Sequence, residues 1–195
     1  MDIQNREHLD AILSALGEQM AALQSPSVDL LVCGGSALQA MGLVHRTTKD
    51  VDVVALVSAS EGLSTAKPLP PLLVEAAKKV ERDFDLKGDW INPGPTSALD
   101  FGLPKGVIDR AETVRYGGVL TIRFFSRLDQ IHFKLYAAVD QGGKHLQDLI
   151  TLKPAGEELE AAARWSMTHD VSAGYRGEVK RILGEMGFDD VAQRI

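Results

Sequence analysis

Two aspartates separated by one apolar residue form a motif with clear chemical potential in this 195-residue chain. Asp50 and Asp52 flank Val51 at the start of the apolar run Val51–Val57, whose β-branched composition predicts a strand. Because side chains alternate along a strand, we expect both carboxylates on one face. Neighbouring carboxylates repel each other, and a divalent cation held together with substrate phosphates would relieve that repulsion. The same spacing is also compatible with two solvated acids at the mouth of a strand.

A glycine pair precedes this strand and could bring the backbone close to a ligand. Gly34 and Gly35 follow the apolar run Leu30–Val32, which predicts a short strand. Ser36 then begins a segment of helical composition that reaches Met41. Glycines at such a turn allow close backbone approach, and the N–H groups that begin a helix attract phosphate. An ordinary strand-to-helix turn also accounts for this pattern when it is considered alone.

The two motifs are more specific together than apart. Residues 37–49 separate Ser36 from Asp50, which is enough chain for a short helix and a returning loop. The glycine turn and the carboxylates would then meet at one end of a sheet. This arrangement resembles the nucleotidyltransferase superfamily with the polymerase-β-like fold, in which a Gly-Gly/Ser turn, a helix and an Asp-hydrophobic-Asp strand follow one another.

More narrowly, the chain resembles the bacterial branch that includes AbiEii-type toxins of toxin–antitoxin systems. That branch carries Gly-Gly-Ser and then Arg-x-Ser/Thr-x-Asp-x-Asp, a pattern matched here by Arg46, Thr48, Asp50 and Asp52. The resemblance implies transfer of a nucleoside monophosphate from an NTP to an acceptor, with release of pyrophosphate. It implies that Asp50 and Asp52 are catalytic and hold Mg²⁺ or Mn²⁺. The nucleotide-binding residues that it implies are Gly34, Gly35, Ser36, Arg46 and Thr48.

Two later charged residues support the narrower resemblance. The branch carries a helix with Lys before small apolar residues, then a Lys/Arg-x-x-x-Asp-Leu-x-x-Leu helix, and the matches are Lys134 and Asp148. Both lie off the predicted apolar faces of their helices, so both could reach a site. On the helix that carries Asp148, the predicted apolar face is made by Leu146, Leu149 and Ile150. The resemblance implies that Lys134 neutralises phosphate charge, and that Asp148 is a general base or orients Lys134. The alternative is two solvated residues.

One feature departs from the superfamily pattern. Many members carry a third carboxylate on a later strand, whereas the candidate strand Val119–Phe125 shows Thr121 and Arg123 on its polar face. Either Asp148 replaces the third acid or the chain binds nucleotides without efficient chemistry. The alternative function is therefore a catalytically degenerate binding partner, for example a toxin–antitoxin component with a cognate antitoxin-like protein.

Charge restricts the range of partners. A net charge of −6 and an isoelectric point of about 5.4 argue against a protein that coats duplex nucleic acid or an anionic membrane. Residues 105–145 nevertheless carry seven Lys and Arg against four acids, and this stretch could guide an RNA end. A protein hydroxyl and a small molecule remain open as acceptors.

Cysteine content and hydropathy indicate the compartment. The single cysteine, Cys33, excludes a disulfide framework and a multi-cysteine zinc site. No apolar stretch approaches the roughly 20 residues needed to span a bilayer. The charged N-terminal segment does not resemble a signal peptide. We therefore expect a cytoplasmic protein without membrane partners.

The order of predicted elements indicates an α/β (α+β) fold. A helix over residues 5–23 precedes the two strands, and a later helix over Leu72–Arg82 follows a loop from Ser58 to Pro71. A hairpin is predicted around Gly117-Gly118, and only helices follow it. We expect a minimal nucleotidyltransferase fold with a small mixed sheet and flanking helices. Residues 1–153 would form the core with its N-terminal helix, and residues 154–195 a C-terminal helical part of the same domain.

Overall fold

The computed structural model describes every residue from Met1 to Ile195 and has a mixed α/β fold, as predicted. The chain forms two compact units, Met1–Ser126 and Arg127–Ile195. The first contains a sheet with flanking helices, and the second contains helices only. None of the helices combines the length and the hydropathy that crossing a membrane requires.

The first unit is built around one six-stranded mixed sheet. Its helices are α1 (Arg6–Ala22), α2 (Gly34–Ala40), α3 (Pro71–Asp83) and α4 (Val107–Arg110), with a 3₁₀ helix over Gly94–Phe101. Its strands are β1 (Val28–Cys33), β2 (Val51–Ser58), β3 (Gly62–Thr65), β4 (Ile91–Asn92), β5 (Glu112–Tyr116) and β6 (Leu120–Phe124). The order across the sheet is β3-β2-β1-β6-β5, and β4 pairs in parallel with the start of β2.

The pairing of β1 with β2 contains an irregularity that affects the site. The two strands are antiparallel, and their register shifts between Leu31 and Val32, which pair with Ala55 and Val53 respectively. Val54 is thus an extra residue on β2, which explains why the buried run there is continuous rather than alternating. At the end of the ladder, Cys33 pairs with Asp52, so this aspartate lies opposite the last residue of β1.

Helix α1 supplies much of the core of the first unit. The predicted apolar stripe is buried, and its members are Leu9, Ile12, Leu13, Leu16 and Met20. The helix begins after Asn5, whose side chain accepts a hydrogen bond from the backbone N–H of His8 at 2.9 Å. The helix packs against α3, α2 and β5. The amphipathic pattern over residues 5–23 is thereby confirmed.

The second unit consists of five helices. They are α5 (Arg127–Gln141), α6 (Gly143–Thr151), α7 (Gly156–His169), α8 (Ala173–Glu185) and α9 (Asp189–Arg194). Helix α5 packs against α6, α7 and α8. The division drawn from the sequence between residues 153 and 154 falls between α6 and α7, both of which contact α5. Helices α5 and α6 therefore belong with the C-terminal helices, in a unit that begins at Arg127.

The hairpin and the longer helices agree with the sequence-based expectations, whereas the short elements do not. Strand β3 lies inside the segment predicted as a loop. Strand β4 and the 3₁₀ helix lie at or within residues 92–106, where closely spaced prolines and glycines indicate a break in regular structure. Helix α2 begins at Gly34 rather than at Ser36. Strands β3 and β4 have four and two residues, too few for a recognisable alternation of apolar and polar side chains, so their formation depends on pairing with β2.

Two helical glycines provide a matched test of this packing. A Cβ at Gly17 in α1 would lie 2.2 Å from the carbonyl oxygen of Tyr116, whereas nothing lies within 4 Å of a Cβ at Gly177 in α8. We expect Gly17→Ala to lower the free energy of unfolding by about 1–3 kcal/mol through overpacking. Gly177→Ala should raise it by roughly 0.5–1 kcal/mol through helix propensity. Urea denaturation measures both, and a stabilising Gly17→Ala would contradict the packing of α1 on β5.

Candidate functional site

The turn between β1 and α2 accommodates the carboxylate of Asp52 because residue 34 has no side chain. Gly34 has a left-handed backbone with a φ of +78°, and a Cβ built on it would lie 2.5 Å from Oδ2 of Asp52. Any larger residue would displace the carboxylate, since a carbon and an oxygen do not approach that closely without a bond. The pairing of Cys33 with Asp52 supports the same contact from the sheet. The glycine turn and Asp52 therefore lie at the same end of β1.

The loop between α2 and β2 closes over the second glycine. A Cβ at Gly35 would lie 2.4 Å from Oγ1 of Thr48 and 3.5 Å from Nη2 of Arg46. The backbone of Thr48 pairs with Ile3 through two N–H···O bonds of 2.8 and 3.0 Å. Gln39 holds the loop as well, because its Nε2 donates to the carbonyl oxygen of Arg46 at 2.6 Å. The structure thus brings three of the predicted nucleotide contacts, Gly35, Arg46 and Thr48, into one neighbourhood.

Ser36 lies beneath this turn. Its side chain is 0% exposed, and its Oγ has no hydrogen-bond partner. A buried hydroxyl without a partner destabilises the fold by about 1–3 kcal/mol. In this structure the hydroxyl is enclosed by protein, so a phosphate at the turn would meet backbone groups before it reached Oγ.

An amide side chain stands beside Asp52 on the neighbouring strand. Asn92 on β4 is in register with Asp52 on β2, and its Nδ2 donates to Oδ1 of Asp52 at 3.4 Å. Its own Oδ1 accepts from the backbone N–H of Gly94 at 2.8 Å, which sets the orientation of the amide. Sequence reasoning missed Asn92 because it opens a region rich in proline and glycine. The signal that could have found it is the apolar pair Trp90-Ile91, which precedes it as a strand would.

Strand β6 does not offer a third acid to this site. It pairs in parallel with β1 on the side away from β2. Arg123 of β6 donates to both carboxylate oxygens of Asp29 on β1, at distances of 2.9–3.0 Å. This contact raises the pKa of the Arg123 guanidinium, chiefly through the hydrogen bond to Asp29. No group of three or more His, Cys, Asp and Glu side chains in the chain is arranged to hold a metal ion.

Asp50 precedes β2 and lines a cavity. It lies one residue before the strand begins and is partly exposed. The cavity has a volume of about 970 Å³, and Asn92 also lines it. Asn92 lines the same cavity as Asp50 and donates a hydrogen bond to Asp52. Asp50 thus borders the cavity and Asp52 borders the glycine turn, and the amide of Asn92 is common to both surroundings.

In the second unit, Lys134 and Asp148 form a buried ion pair. Nζ of Lys134 lies 2.9 Å from Oδ2 of Asp148, and their side chains are 5% and 3% exposed. Lys134 is on α5 and Asp148 is on α6, and these helices pack against each other. Pairing two buried charges avoids the large cost of leaving either charge alone in the interior. The interpretation of both as solvated residues is wrong.

The predicted apolar face of α6 also needs correction. The sequence predicts Ile150 on that face, but Ile150 is 47% exposed, whereas Asp148 is 2% exposed. The helix presents Asp148 and Leu149 to the interior of the unit. The reason is that the Lys134 ammonium on α5 provides a buried partner for a carboxylate, which a hydrophobic pattern on α6 alone cannot reveal.

A second charged contact fixes the start of α5. The Arg127 guanidinium donates to both carboxylate oxygens of Glu158, at 2.7 and 3.1 Å, and to the carbonyl oxygens of Leu152 and Lys153. The hydrogen bond from Arg127 is the largest contribution that holds the pKa of Glu158 below its ordinary value. Arg127 thereby ties α5 to the connection between α6 and α7, and this restrains the helices that carry Lys134 and Asp148.

These contacts reduce the charge available in the basic stretch 105–145. Three of its seven cations are held by carboxylates of this chain: Arg123 by Asp29, Arg127 by Glu158 and Lys134 by Asp148. The stretch also runs from the first unit into the second. Much of the positive charge of this stretch is therefore balanced by carboxylates of the same chain. The stretch is thus a weaker indication of an RNA groove than its number of Lys and Arg residues suggests.

Comparisons with known proteins add no family to this picture. No protein-family model, curated protein or solved structure matches the chain.

The buried pair predicts a strongly asymmetric response to substitution. Asp148→Ala leaves the Lys134 ammonium buried without a counter-ion, so we expect the free energy of unfolding to fall by about 3–5 kcal/mol. The double variant Lys134→Met/Asp148→Leu should recover most of that loss, because it removes both charges. Arg181→Met, which breaks an exposed contact with Glu178 in the same unit, is the control and should change little. Urea denaturation tests this, and equal effects of Asp148→Ala and Arg181→Met would contradict burial.

The position of Asn92 predicts a gain of metal affinity. Asn92→Asp puts a third carboxylate in register with Asp52, so Mn²⁺ should bind at least tenfold more tightly in calorimetric titration. Without metal, repulsion between the carboxylates should lower the free energy of unfolding. Ser97→Asp, on the same cavity wall, adds an equal charge and serves as the control. An unchanged Mn²⁺ affinity in Asn92→Asp would show that the amide does not face the metal ligands.

Proposed function

We propose that the chain is a metal-dependent nucleotidyltransferase that transfers a nucleoside monophosphate from an NTP to an acceptor and releases pyrophosphate. The observation that carries the proposal is the Asp52 carboxylate packed against Gly34, with Asp50 two residues before it. A carboxylate beside a strand-to-helix turn combines ligands for a cation with backbone donors for phosphate. The cytoplasm, which the sequence predicts, is the compartment that we propose for the reaction.

The donor set suits Mg²⁺ or Mn²⁺. Asp50 and Asp52 supply hard carboxylate oxygens, and two carboxylates leave coordination positions for water and phosphate oxygens, as Mg²⁺ sites typically do. The hydrogen bond from Asn92 orients the Asp52 carboxylate without adding a third negative charge. When bound, the metal would neutralise charge on the attacking and leaving oxygens.

Several cationic and polar groups are proposed to contact the nucleotide. Arg46 and Thr48 lie at Gly35, where they would bind phosphate oxygens through charge-assisted and hydroxyl hydrogen bonds. For Lys134 and Asp148 the resemblance alone implies a role, because the structure shows them as a buried ion pair within the second unit. The 2.9 Å ion pair between them favours Asp148 as the residue that orients Lys134, because its carboxylate is already engaged by the ammonium. Gly34 and Ser36 would contribute only the backbone groups of the turn.

The reaction follows from these roles. An acceptor oxygen or nitrogen attacks the α-phosphorus of the NTP, the bond from that phosphorus to the bridging oxygen breaks, and pyrophosphate leaves with the electron pair. Fixed cations stabilise the transition state because negative charge accumulates on the phosphoryl oxygens and on the leaving group. An RNA end, a protein hydroxyl and a small molecule are the acceptor classes.

A second function has observations in its favour. The chain would be a catalytically degenerate partner, for example one that binds an antitoxin-like protein. The enclosed hydroxyl of Ser36 and the amide of Asn92, at a position where an acid could complete a metal site, favour this alternative. The intact pair of Asp50 and Asp52 disfavours it, since two carboxylates at this spacing supply the hard oxygen ligands that Mg²⁺ prefers.

Thermal shift with each NTP, with and without Mg²⁺, tests the proposed site. Asp50→Asn and Asp52→Asn should abolish Mg²⁺-dependent stabilisation by NTP and leave the stability of the free protein unchanged or higher, because repulsion is relieved. Asp83→Asn at the exposed end of α3 is the matched control and should behave like the parent. If either site variant binds Mg–NTP as tightly as the parent, the metal site lies elsewhere.

Transfer itself is measured with α-labelled NTP, Mg²⁺ or Mn²⁺, and three acceptor pools: total tRNA, cell protein, and small hydroxyl or amino compounds. We expect label to move into one pool and to be lost from it in Asp50→Asn. The pool identifies the acceptor. NTP binding without transfer to any pool would make the binding partner the better description.

A further inference from the structure

We propose that the cavity beside Asp50 binds the acceptor, and that the acceptor is a small phosphorylated hydroxyl compound. The inference rests on the proposed function, because it assigns this cavity to the second substrate of the transfer. The cavity lies wholly in the first unit, between α3, β4 and the 3₁₀ helix. Its volume of about 970 Å³ is at the upper end of the roughly 300–1,000 Å³ that small-molecule sites occupy.

The floor of the cavity is apolar and rigid. Leu69, Val74, Ala77 and Ile91 line it together with the indole of Trp90. Nε1 of Trp90 donates to the carbonyl oxygen of Ala77 at 3.1 Å, and the side chain is 1% exposed. A buried aromatic ring whose only polar atom is satisfied keeps its orientation. The floor therefore suits the carbon skeleton of a small organic ligand.

The rim supplies charge for a single anionic group. The lysines that line the cavity are Lys49, Lys67, Lys78 and Lys87, and the acids are Asp50, Glu81 and Asp89. Lys87 is paired with Asp2 at 2.9 Å. Lys67 and Lys78 form no ion pair within the chain, and both are exposed. These two ammonium groups are therefore available to a phosphate on the ligand.

The charge balance favours a small ligand over a polynucleotide. Lys67 and Lys78 offer two unpaired positive charges, close to the charge of about −1.5 to −2 that one phosphate monoester carries at pH 7. A polynucleotide would place several phosphates along the surface and would require several uncompensated cations to bind at physiological salt. The apolar floor and the concave shape likewise suit a compact molecule rather than an extended chain.

The cavity connects directly to the candidate metal ligands. Asp50 and Asn92 both line it, and Asn92 also donates to Asp52. A hydroxyl at this end of the ligand would lie beside the carboxylates. In the transfer its oxygen bonds to the α-phosphorus of the NTP, the bond to the bridging oxygen breaks with departure of pyrophosphate, and the hydroxyl proton passes to water.

Fluorescence of Trp90 reports occupancy of the cavity. In a Trp165→Phe background, Trp90 is the only tryptophan, and three probes are titrated without metal or NTP: glycerol 3-phosphate, ribose 5-phosphate and uridine monophosphate. We expect at least one to change the emission saturably, and its neutral counterpart to bind at least tenfold more weakly. Lys67→Ala/Lys78→Ala should weaken binding at least tenfold. Lys79→Ala, on the same helix but outside the cavity lining, should leave it within twofold.

Several results would overturn the assignment. They are the failure of all three probes, equal binding of the neutral counterparts, and tighter binding of a short single-stranded RNA that also depends on Lys67 and Lys78. Asp52→Asn, which changes a residue outside the cavity lining, should retain probe binding, so a failure of the metal site is seen separately as loss of Mg–NTP binding. A bound probe that receives no label from an active enzyme would overturn its role as acceptor.

Discussion

The missing side chain at Gly34 is the constraint on which the site depends. A Cβ there would stand 2.5 Å from Oδ2 of Asp52, so the carboxylate occupies space that any other residue would fill. The antiparallel register of β1 and β2 brings the two residues to this distance, and the extra residue Val54 sets that register at the end of the ladder. Asn92 then orients the carboxylate from the other side. The glycine turn, the extra residue in β2 and strand β4 thus all determine the position of the Asp52 carboxylate.

The two units accommodate their charged side chains in different ways. In the first unit the carboxylates of Asp50 and Asp52 stay partly exposed, and the nearest strand neighbour of Asp52 is a neutral amide. In the second unit Lys134 and Asp148 are almost fully buried and neutralise each other. A site that must exchange ligands benefits from accessible carboxylates, whereas a buried pair is fixed by its own helices. The aspartates are thus accessible to solvent, whereas Lys134 and Asp148 hold α5 and α6 together.

The parts of the fold that could be predicted from the sequence are those with a strong local signal. Helix α1 and the long C-terminal helices have a helical hydrophobic period, β2 has a run of β-branched residues, and the hairpin has the turn Gly117-Gly118. Strand β4 has two residues, and only its pairing with Val51 and Asp52 makes it a strand.

At the site, the proximity of Gly34 and Asp52 could be anticipated from their spacing, because a short helix returns the chain to the same sheet end. Three features of the site could not be anticipated from the sequence. Burial of Ser36 depends on the packing around α2, the orientation of Asp148 depends on a lysine on another helix, and Asn92 becomes a neighbour of Asp52 only through tertiary strand pairing. Each of these features depends on a contact between residues that are far apart in the sequence, so the local residue pattern does not reveal it.

Paramagnetic broadening by Mn²⁺ tests the central claim most directly, namely that Asp50 and Asp52 bind a divalent cation at the glycine turn. With the amide signals of the chain assigned, substoichiometric Mn²⁺ should first broaden those of Gly34, Asp52 and Gly94. The amides of Gly117 and Gly118, at the opposite end of the sheet, should stay sharp. Asp52→Asn should abolish the selective broadening. Broadening centred on any other cluster of residues, or none at millimolar Mn²⁺ with NTP present, would contradict the account.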